Sequence, residues 1–174
     1  MEARRLAEAL RAQGATHVVT LPDNASAALL RLLEAGPAPR VVPVTREGEA
    51  FAVAAGLWAG GARPVVVIQN TGLLESGDAL RGTAMRMRVP LVCLVTCRGY
   101  ATLPAAGAAP PGGELLSRPD VDSVAVLTEP TLRAWGVPYS FAREDGDLER
   151  VGEAFADAAR LQQPVALLLT GETA

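Results

Sequence analysis

The stretch RVVPVTREGEAFAVAAG, residues 40–56, decides the fold, because an apolar run changes there without a break into an alanine-rich run. Residues 40–44 favour a short strand, and residues from about 46 to 60 favour a helix. A strand followed at once by a helix is half of a β–α–β unit. Two carboxylates open the otherwise apolar helix, so Glu47 and Glu49 are the first candidate functional residues.

The same alternation of strand and helix repeats along the chain. Helices are predicted at about 2–13, before residue 36, at 46–60, at 76–87 after a turn, and at 147–161; strands are predicted at 16–21, 40–44, 64–69, 90–96, 138–141 and 164–170. The six strand-like runs are rich in Val and Leu without alternation, which is typical of strands buried on both faces. The pattern predicts a three-layer α/β/α fold with a mainly parallel six-stranded sheet.

One domain is expected over residues 1–174, since 174 residues with 49% hydrophobic content suffice for one core and not for two ordinary ones. The least regular part is a loop rich in Pro and Gly at about 99–120, whose composition is expected to forbid a helix. Cys93 and Cys97 stand four residues apart in a predicted strand. That spacing is about 13 Å, too far for a disulfide, so both are expected to be core thiols.

The composition excludes several classes of function. A net charge of −3 gives no basic face for nucleic acid or an anionic membrane surface. All 16 basic residues are Arg, so Schiff-base and P-loop lysines are excluded. With His17 as the one histidine, neither a Cys/His zinc site nor a catalytic Ser–His or Cys–His pair is expected. The chain starts with a charged amphipathic segment and has no membrane-length apolar run, so a cytoplasmic location is expected.

Side-chain hydrogen-bonding groups collect where the first four predicted strands end. They lie at residues 21–24, 45–49, 69–72 and 96–99, whereas the strands themselves hold few polar groups. The carboxyl ends of parallel strands meet at one edge of a sheet, where the helix N-termini and loops converge. The sequence therefore predicts a ligand site at this edge.

These polar residues also have ordinary structural explanations. Asp23 and Asn24 suit turns and helix N-caps, and Gly72 suits a tight turn. Carboxylates in a first helical turn favour the positive end of the helix dipole. Glu47 and Glu49 lie ~200° apart around a helix, so at most one of them faces the site. The GxGxxG, P-loop and GxSxG motifs are absent, so the common dinucleotide, P-loop and serine-hydrolase functions are not supported.

Residues 45–56 resemble the pyrimidine-binding domain of thiamine-diphosphate enzymes. In that domain a Glu ends the second strand and an alanine-rich helix reaches a Gly nine residues later, here Glu47 and Gly56. The resemblance is closer to the sulfopyruvate and phosphonopyruvate decarboxylases. It is carried by residues 46–50 and 69–73, and further by residues 21–24, 89–91, 98–99 and 128–138, so that it spans most of the chain.

The resemblance implies a role for each matching residue. Glu47 matches the glutamic acid that hydrogen-bonds the aminopyrimidine ring of thiamine diphosphate and activates the cofactor, so it is the expected catalytic residue, enclosed by Ala50, Phe51 and Val53. Glu49 is expected to be a helix or interface residue. The implied cofactor-binding residues are Pro22, Asp23, Glu47, Gln69, Asn70, Thr71 and Gly72. The candidate substrate-binding residues are Asn24, Arg81 and Arg98. The guanidinium groups of the two arginines could bind an anionic 2-oxo acid through paired hydrogen bonds, although Arg81 lies in a segment that departs from the related enzymes.

The sequence lacks half of the family's cofactor site. The family binds the diphosphate and Mg²⁺ on a second domain through a Gly-Asp-Gly motif and a later Asn, and this chain has no such motif. The resemblance therefore implies the α subunit of a split decarboxylase, with a β subunit that binds Mg²⁺. It also implies that this chain homodimerises within a larger hetero-oligomer. The expected substrate is a 2-oxo acid such as sulfopyruvate or phosphonopyruvate; no nucleic acid or membrane partner is expected.

Two other functions stay open. The chain would also suit a non-catalytic regulatory or scaffolding subunit that keeps the fold. A carboligase that uses the same cofactor is the other alternative, since Glu47 would serve it equally well. The choice of 2-oxo acid is open as well, because residues 100–104 replace the acidic-Pro-Gln-His stretch of the sulfopyruvate and phosphonopyruvate enzymes.

Overall fold

A computed structural model describes residues 1–103 and 113–171 of the protein. The strands are β1 (His17–Thr20), β2 (Arg40–Pro43), β3 (Pro64–Gln69), β4 (Val92–Thr96), β5 (Tyr139–Ala142) and β6 (Val165–Leu169). The α-helices are α1 (Ala3–Ala12), α2 (Ala27–Glu34), α3 (Glu47–Ala59), α4 (Asn70–Glu75), α5 (Gly77–Ala79), α6 (Gly113–Leu116), α7 (Ser123–Trp135) and α8 (Glu149–Leu161). None of the helices in these two ranges is long and apolar enough to cross a membrane.

The six strands form one sheet in the order β2-β1-β3-β4-β6-β5, and each neighbouring pair is parallel. This confirms the predicted fold class. In the centre of the sheet Val65 lies opposite Val92, and Gln69 lies opposite Thr96. The carboxyl ends of β3 and β4 are therefore level with each other.

The helices pack in two layers, one on each face of the sheet. The core on one face joins α1, α2 and α8 to the strand residues Val65 and Val67, and the core on the other face joins α3, α4 and α7 to Val66 and Ile68. These four residues of β3 are fully buried. Because both faces are covered, the strand needs apolar residues at every position, which explains the unalternated runs in the sequence.

The segment after β3 differs from the predicted turn and helix. Helix α4 begins at Asn70, directly after the strand, where a turn was predicted. The predicted helix at 76–87 is divided into the short α5 and a π-helix, Leu80–Met85. Gly72 therefore lies inside a helix and not in a tight turn. The short polar residues that indicated a turn instead form the first turn of α4, which packs against α3 and α7.

The region around the predicted loop at 99–120 also holds more helix than predicted. Residues Tyr100–Thr102 form a 3₁₀ turn and α6 follows at Gly113, while residues 104–112 lie outside the described part. Helix α7 was not predicted, since Pro130 lies in its interior and interior prolines usually break helices. Its boundaries are well defined: the Asp122 side chain accepts a hydrogen bond from the Val124 N–H, and Gly136 ends the helix at φ 69°.

Candidate functional site

The candidate site lies at the carboxyl ends of β1, β3 and β4. After β1 the chain enters α2 in one helical layer, and after β3 it enters α4 in the other layer, although β1 and β3 are neighbours in the sheet. A crevice forms where neighbouring strands send their connections to opposite faces, and ligands of open parallel sheets bind there. Most of the polar residues that the sequence predicted as a site lie around this point.

Glu47 is the first residue of α3 and is partly buried. Its side chain lies against Gly72 in α4, so closely that a Cβ atom added to Gly72 would collide with Glu47 Cγ and Cδ. Among the described residues, no hydrogen-bond donor reaches the Glu47 carboxylate. Its capacity to accept or donate hydrogen bonds is therefore available to a ligand.

The prediction that Ala50, Phe51 and Val53 enclose Glu47 is wrong for Val53. Ala50 and Phe51 are fully buried and pack toward the sheet, whereas Val53 is 36% exposed on the outer side of α3. The reason is the helical period, which turns successive side chains through about 100° and spreads these three residues around the helix. The neighbour that limits the position of Glu47 is instead Gly72, from the next helix.

Glu49 has the structural role that the helix-start interpretation predicts. Its Oε2 accepts hydrogen bonds from the Thr45 N–H at 2.9 Å, the Thr45 hydroxyl at 2.9 Å and the Arg46 N–H at 3.2 Å. The bond from the Thr45 N–H is the main cause that lowers the pKa of Glu49 below its ordinary value. Glu47 and Glu49 therefore differ: Glu49 accepts hydrogen bonds from the residues at the start of α3, whereas Glu47 does not.

Glu75, which sequence reasoning missed, also serves the start of α3. It lies at the end of α4, where its Oε2 accepts a hydrogen bond from the Gly48 N–H at 3.0 Å and its Oε1 forms an ion pair with Arg46. The hydrogen bond from Arg46 is the main cause that lowers the pKa of Glu75. Because Glu75 follows Arg46 by 29 positions, sequence spacing gives no sign of the contact.

Asn70 is fully buried and its side-chain amide bonds to the protein itself. Its Nδ2 donates to the Arg98 carbonyl at 3.0 Å and to the Thr128 hydroxyl at 3.3 Å, while its Oδ1 accepts from the Arg98 N–H at 3.1 Å. Both amide protons are therefore used within the chain. The amide joins the end of β4 to α7, and Thr128 is a second residue that sequence reasoning missed.

The two arginines predicted to bind substrate are each paired with a carboxylate. Arg98 Nε lies 2.9 Å from Asp122 Oδ2, and Arg81 Nη2 lies 2.8 Å from Asp78 Oδ1. Their side chains are 58% and 62% exposed. Arg98 lies at the carboxyl end of β4, whereas Arg81 lies in the π-helix; no hydrogen bond or ion pair within the described residues joins the two. The same Asp122 carboxylate caps α7, so Arg98 is tied to that helix.

The remaining predicted residues lie around the crevice between β1 and β3. Asp23 Oδ2 accepts a hydrogen bond from the Thr96 hydroxyl at 2.9 Å, and its Oδ1 accepts one from the Ser26 N–H at 2.8 Å. Pro22 and Asn24, on either side of it, are exposed. In α4 the exposed Thr71 hydroxyl donates to Gln69 Oε1 at 3.0 Å.

The thiols do not supply a nucleophile. Cys93 is buried and Cys97 is partly buried, and neither forms a disulfide. Burial raises the pKa of Cys97 to about 12 and raises that of Cys93 as well, so both stay protonated near neutral pH. In the described part of the chain no cluster of three or more His, Cys, Asp or Glu side chains is arranged to hold a metal ion.

Fold and candidate site together define an open parallel α/β domain with a crevice at the carboxyl ends of its strands and a glutamate at the start of the third helix. Residues 2–113 match the model of one family, described as "Thiamine pyrophosphate enzyme, N-terminal TPP binding domain". That match covers more than half of the chain. The chain therefore belongs to this family.

Individual relatives resemble the chain over different lengths. It is 29% identical over 157 residues to the α subunit of sulfopyruvate decarboxylase from Methanothermobacter thermautotrophicus, covering 90% of this chain and 87% of that protein. It is 37% identical over 94 residues to phosphonopyruvate decarboxylase from Streptomyces viridochromogenes, covering 54% of this chain and 24% of that enzyme. The structure of benzoylformate decarboxylase from Polynucleobacter necessarius matches with a TM-score of 0.69 and 21% identity, covering 97% of this chain and 30% of that one, and supports the fold.

Proposed function

We propose that this chain is the pyrimidine-binding α subunit of a two-subunit, thiamine-diphosphate-dependent enzyme that decarboxylates an anionic 2-oxo acid. The observation that carries the proposal is the carboxyl of Glu47, which lies at the sheet edge against Gly72 and accepts no hydrogen bond from the described residues. Thiamine diphosphate, when bound, supplies the nucleophile that a 2-oxo acid needs in order to lose CO₂. Glu47 would hold a proton in a hydrogen bond to the aminopyrimidine ring.

The neighbouring residues fit a ring that enters at this edge. Gln69 and Thr71 have polar side chains and lie near Gly72, the residue that contacts Glu47. Pro22 and Asp23 follow β1 and lie on the other side of the crevice. The Asp23 carboxylate and the Asn70 amide already have partners within the chain, so in this proposal they shape the pocket and fix its walls. Gln69, Thr71 and Pro22 are the proposed cofactor contacts.

The outer side of α3 suits the proposed partner subunit. Helix α3 is apolar nearly all round, and four small or aliphatic residues on its outer side are exposed: Ala52, Val53, Gly56 and Ala59. Helices that are apolar on every side are normally covered by another surface. Since Glu47 opens this helix, a subunit docked on α3 would lie beside the proposed catalytic carboxyl. That subunit would hold the diphosphate and Mg²⁺.

The substrate class follows from the relatives and from Arg98. The two sequence relatives named above are the α subunit of a sulfopyruvate decarboxylase and a phosphonopyruvate decarboxylase. Sulfopyruvate and phosphonopyruvate are both 2-oxo acids with a second acidic group. Arg98 lies at the edge of the sheet and is 58% exposed, so its guanidinium can bind an acid group while it keeps its contact with Asp122. Arg81 and Asn24 are weaker candidates because they lie on separate elements, and no hydrogen bond or ion pair in the described residues joins them to Arg98.

The proposal is tested by native mass spectrometry on tagged chain recovered from its own cells, with Mg²⁺ and thiamine diphosphate present throughout. We expect a stoichiometric partner whose sequence holds Gly-Asp-Gly and a later Asn, together with bound cofactor. The recovered complex is then assayed for CO₂ release from sulfopyruvate, phosphonopyruvate and pyruvate. Release from one or both of the first two is the expected result.

Three outcomes would contradict parts of the proposal. Full decarboxylase activity of the chain alone would show that it needs no partner subunit. A homo-oligomer without cofactor or partner would favour a regulatory or scaffolding role. Carbon–carbon bond formation with an added aldehyde, without release of the free aldehyde from the 2-oxo acid, would make the complex a carboligase.

A further inference from the structure

Gly72 lies in a helix and has no backbone reason to be glycine. It is the third residue of α4, is buried, and does not have a positive φ angle. In a helix, glycine is less favourable than alanine because it loses more backbone freedom on folding. A neighbouring group that leaves no room for a Cβ atom at residue 72 would explain why glycine is found there despite this cost.

The requirement is the space taken by the Glu47 side chain. A Cβ atom on Gly72 would come closest to Glu47 Cγ and would lie 2.5 Å from Glu47 Cδ, a distance that Cβ atoms do not tolerate. Because Cγ is the second carbon of the side chain, a rotation near the carboxyl would not relieve the collision. The whole side chain would have to change its χ1 rotamer, which would move the carboxyl away from its present place.

We propose that Gly72 is a positioning residue, whose missing side chain sets the rotamer of Glu47 and so the place of its carboxyl at the sheet edge. The inference deepens the proposed function and rests on it, since it takes Glu47 to be the acid that contacts the cofactor. It reinterprets Gly72, which the sequence predicted as a cofactor contact. Its effect on catalysis passes through Glu47.

A stability cycle on the full chain tests the steric relation without any assay of activity. Gly72→Ala, Glu47→Ala and the double variant are unfolded in urea, and the midpoints are compared. We expect Gly72→Ala to lower the midpoint when Glu47 is present. We expect the same substitution to raise it or leave it unchanged in the Glu47→Ala background, where the three atoms nearest to the added Cβ are removed and alanine favours the helix. An equal shift in both backgrounds would overturn the inference.

Gly152→Ala is the matched control. Gly152 lies in α8 in the other helical layer, and a Cβ there would come within 3.2 Å of the end of the flexible Gln13 side chain alone. Its effect on the midpoint should be the same whether or not Glu47 is present. If the effect of Gly152→Ala on the midpoint also depended on Glu47, the cycle would report a global effect of the Glu47→Ala substitution. That result would overturn the inference that Gly72 sets the rotamer of Glu47.

The assembled complex gives the catalytic readout. Gly72→Ala should lower kcat by about a hundredfold with little change in KM, because a misplaced catalytic group affects the chemical step more than substrate binding. A steric coupling in the cycle combined with an unchanged kcat would overturn the positioning role. If the wild-type complex releases no CO₂ from any 2-oxo acid, the proposed function fails, and the urea cycle still decides whether Gly72 sets the position of Glu47.

Discussion

A polar cluster and a single carboxyl group at the same edge of the sheet differ in how their hydrogen-bonding groups are used. The Asn70 cluster, made of Asn70, Arg98, Asp122 and Thr128, joins β4 to α7 through bonds that leave neither proton of the Asn70 amide unbonded. The carboxyl of Glu47, one helix away, has no hydrogen-bond partner among the described residues. Polar groups that are bonded internally support the fold, whereas an open carboxyl is available for chemistry.

The largest expected effect comes from Glu47→Gln. In the complex with its partner and thiamine diphosphate, we expect turnover to fall by roughly two to four orders of magnitude, the range attributed to a positioned acid or base. The amide keeps the shape of the side chain but cannot exchange a proton in the same way. Since the carboxyl has no bond to lose within the described chain, the thermal unfolding midpoint should stay close to that of the wild type.

Glu49→Gln is the control for this variant, because residue 49 opens the same helix. It should lose little turnover, since its carboxylate serves the N–H groups of Thr45 and Arg46. If both variants lose the same small fraction of turnover, the proposed difference between Glu47 and Glu49 is contradicted. In that case Glu47 would be a helix-start carboxylate and the site would have to lie elsewhere on the edge.

A second, smaller effect is expected in the Asn70 cluster. Asn70→Ala should lower the free energy of unfolding by about 2–3 kcal/mol, because it removes a buried amide and leaves the partly buried Arg98 N–H and carbonyl without their partner. Urea unfolding measures this loss. Affinity for thiamine diphosphate, measured by calorimetry on the complex, should change far less than stability. Thr128→Val, which removes one of the three bonds to the Asn70 side chain, should have an intermediate effect.

The opposite result would restore the interpretation that the sequence suggested for Asn70. If Asn70→Ala leaves stability unchanged and weakens cofactor binding about a hundredfold or more, its amide contacts the ligand in the complex. The Asn70 cluster and Glu47 would then both be functional, and hydrogen bonds within the chain would not distinguish structural from catalytic groups at this edge.

The sequence predicted the sheet well because a parallel strand covered on both faces must be apolar at every position. That rule does not apply to the connections. The segment that forms α4 was predicted as a turn, and Gly72 was interpreted as a tight-turn glycine. In the structure Gly72 instead lies against Glu47, and Asn70 bonds to Arg98 and Thr128. α7 was missed because Pro130 interrupts its pattern.

The candidate site depends on both local and distant features of the sequence. Glu47 is a candidate because it opens an apolar helix at a strand end and matches a family motif, and both of these are local features. Glu75, Asp122 and Thr128 were not found, since they act on residues 24 to 58 positions away. Contacts of that kind depend on how helices pack, and a single sequence gives no direct sign of them.

The smallest expected effect concerns how the stability of the protein depends on pH through Glu75, which bonds to the first residues of α3, the helix that Glu47 opens. The pKa of Glu75 is lowered mainly by its bond to Arg46, and also by the Gly48 N–H. A carboxyl whose pKa is lower in the folded chain stabilises the fold above its unfolded pKa, near 4.5, and this contribution is lost as the pH falls through the folded value. The wild type should therefore lose stability below about pH 4.5, and Glu75→Gln should lose less.

Thermal unfolding of both proteins between about pH 6 and pH 3.5 measures the difference. Glu153→Gln, on the exposed side of α8, is the control and should follow the wild type. Since the Arg46–Glu75 pair is largely exposed, the difference should be a small one that salt weakens further. If Glu75→Gln and the wild type lose stability in parallel, the Glu75 carboxylate does not hold the start of α3. The position of Glu47 would then depend on Gly72 and on the bonds that Glu49 makes.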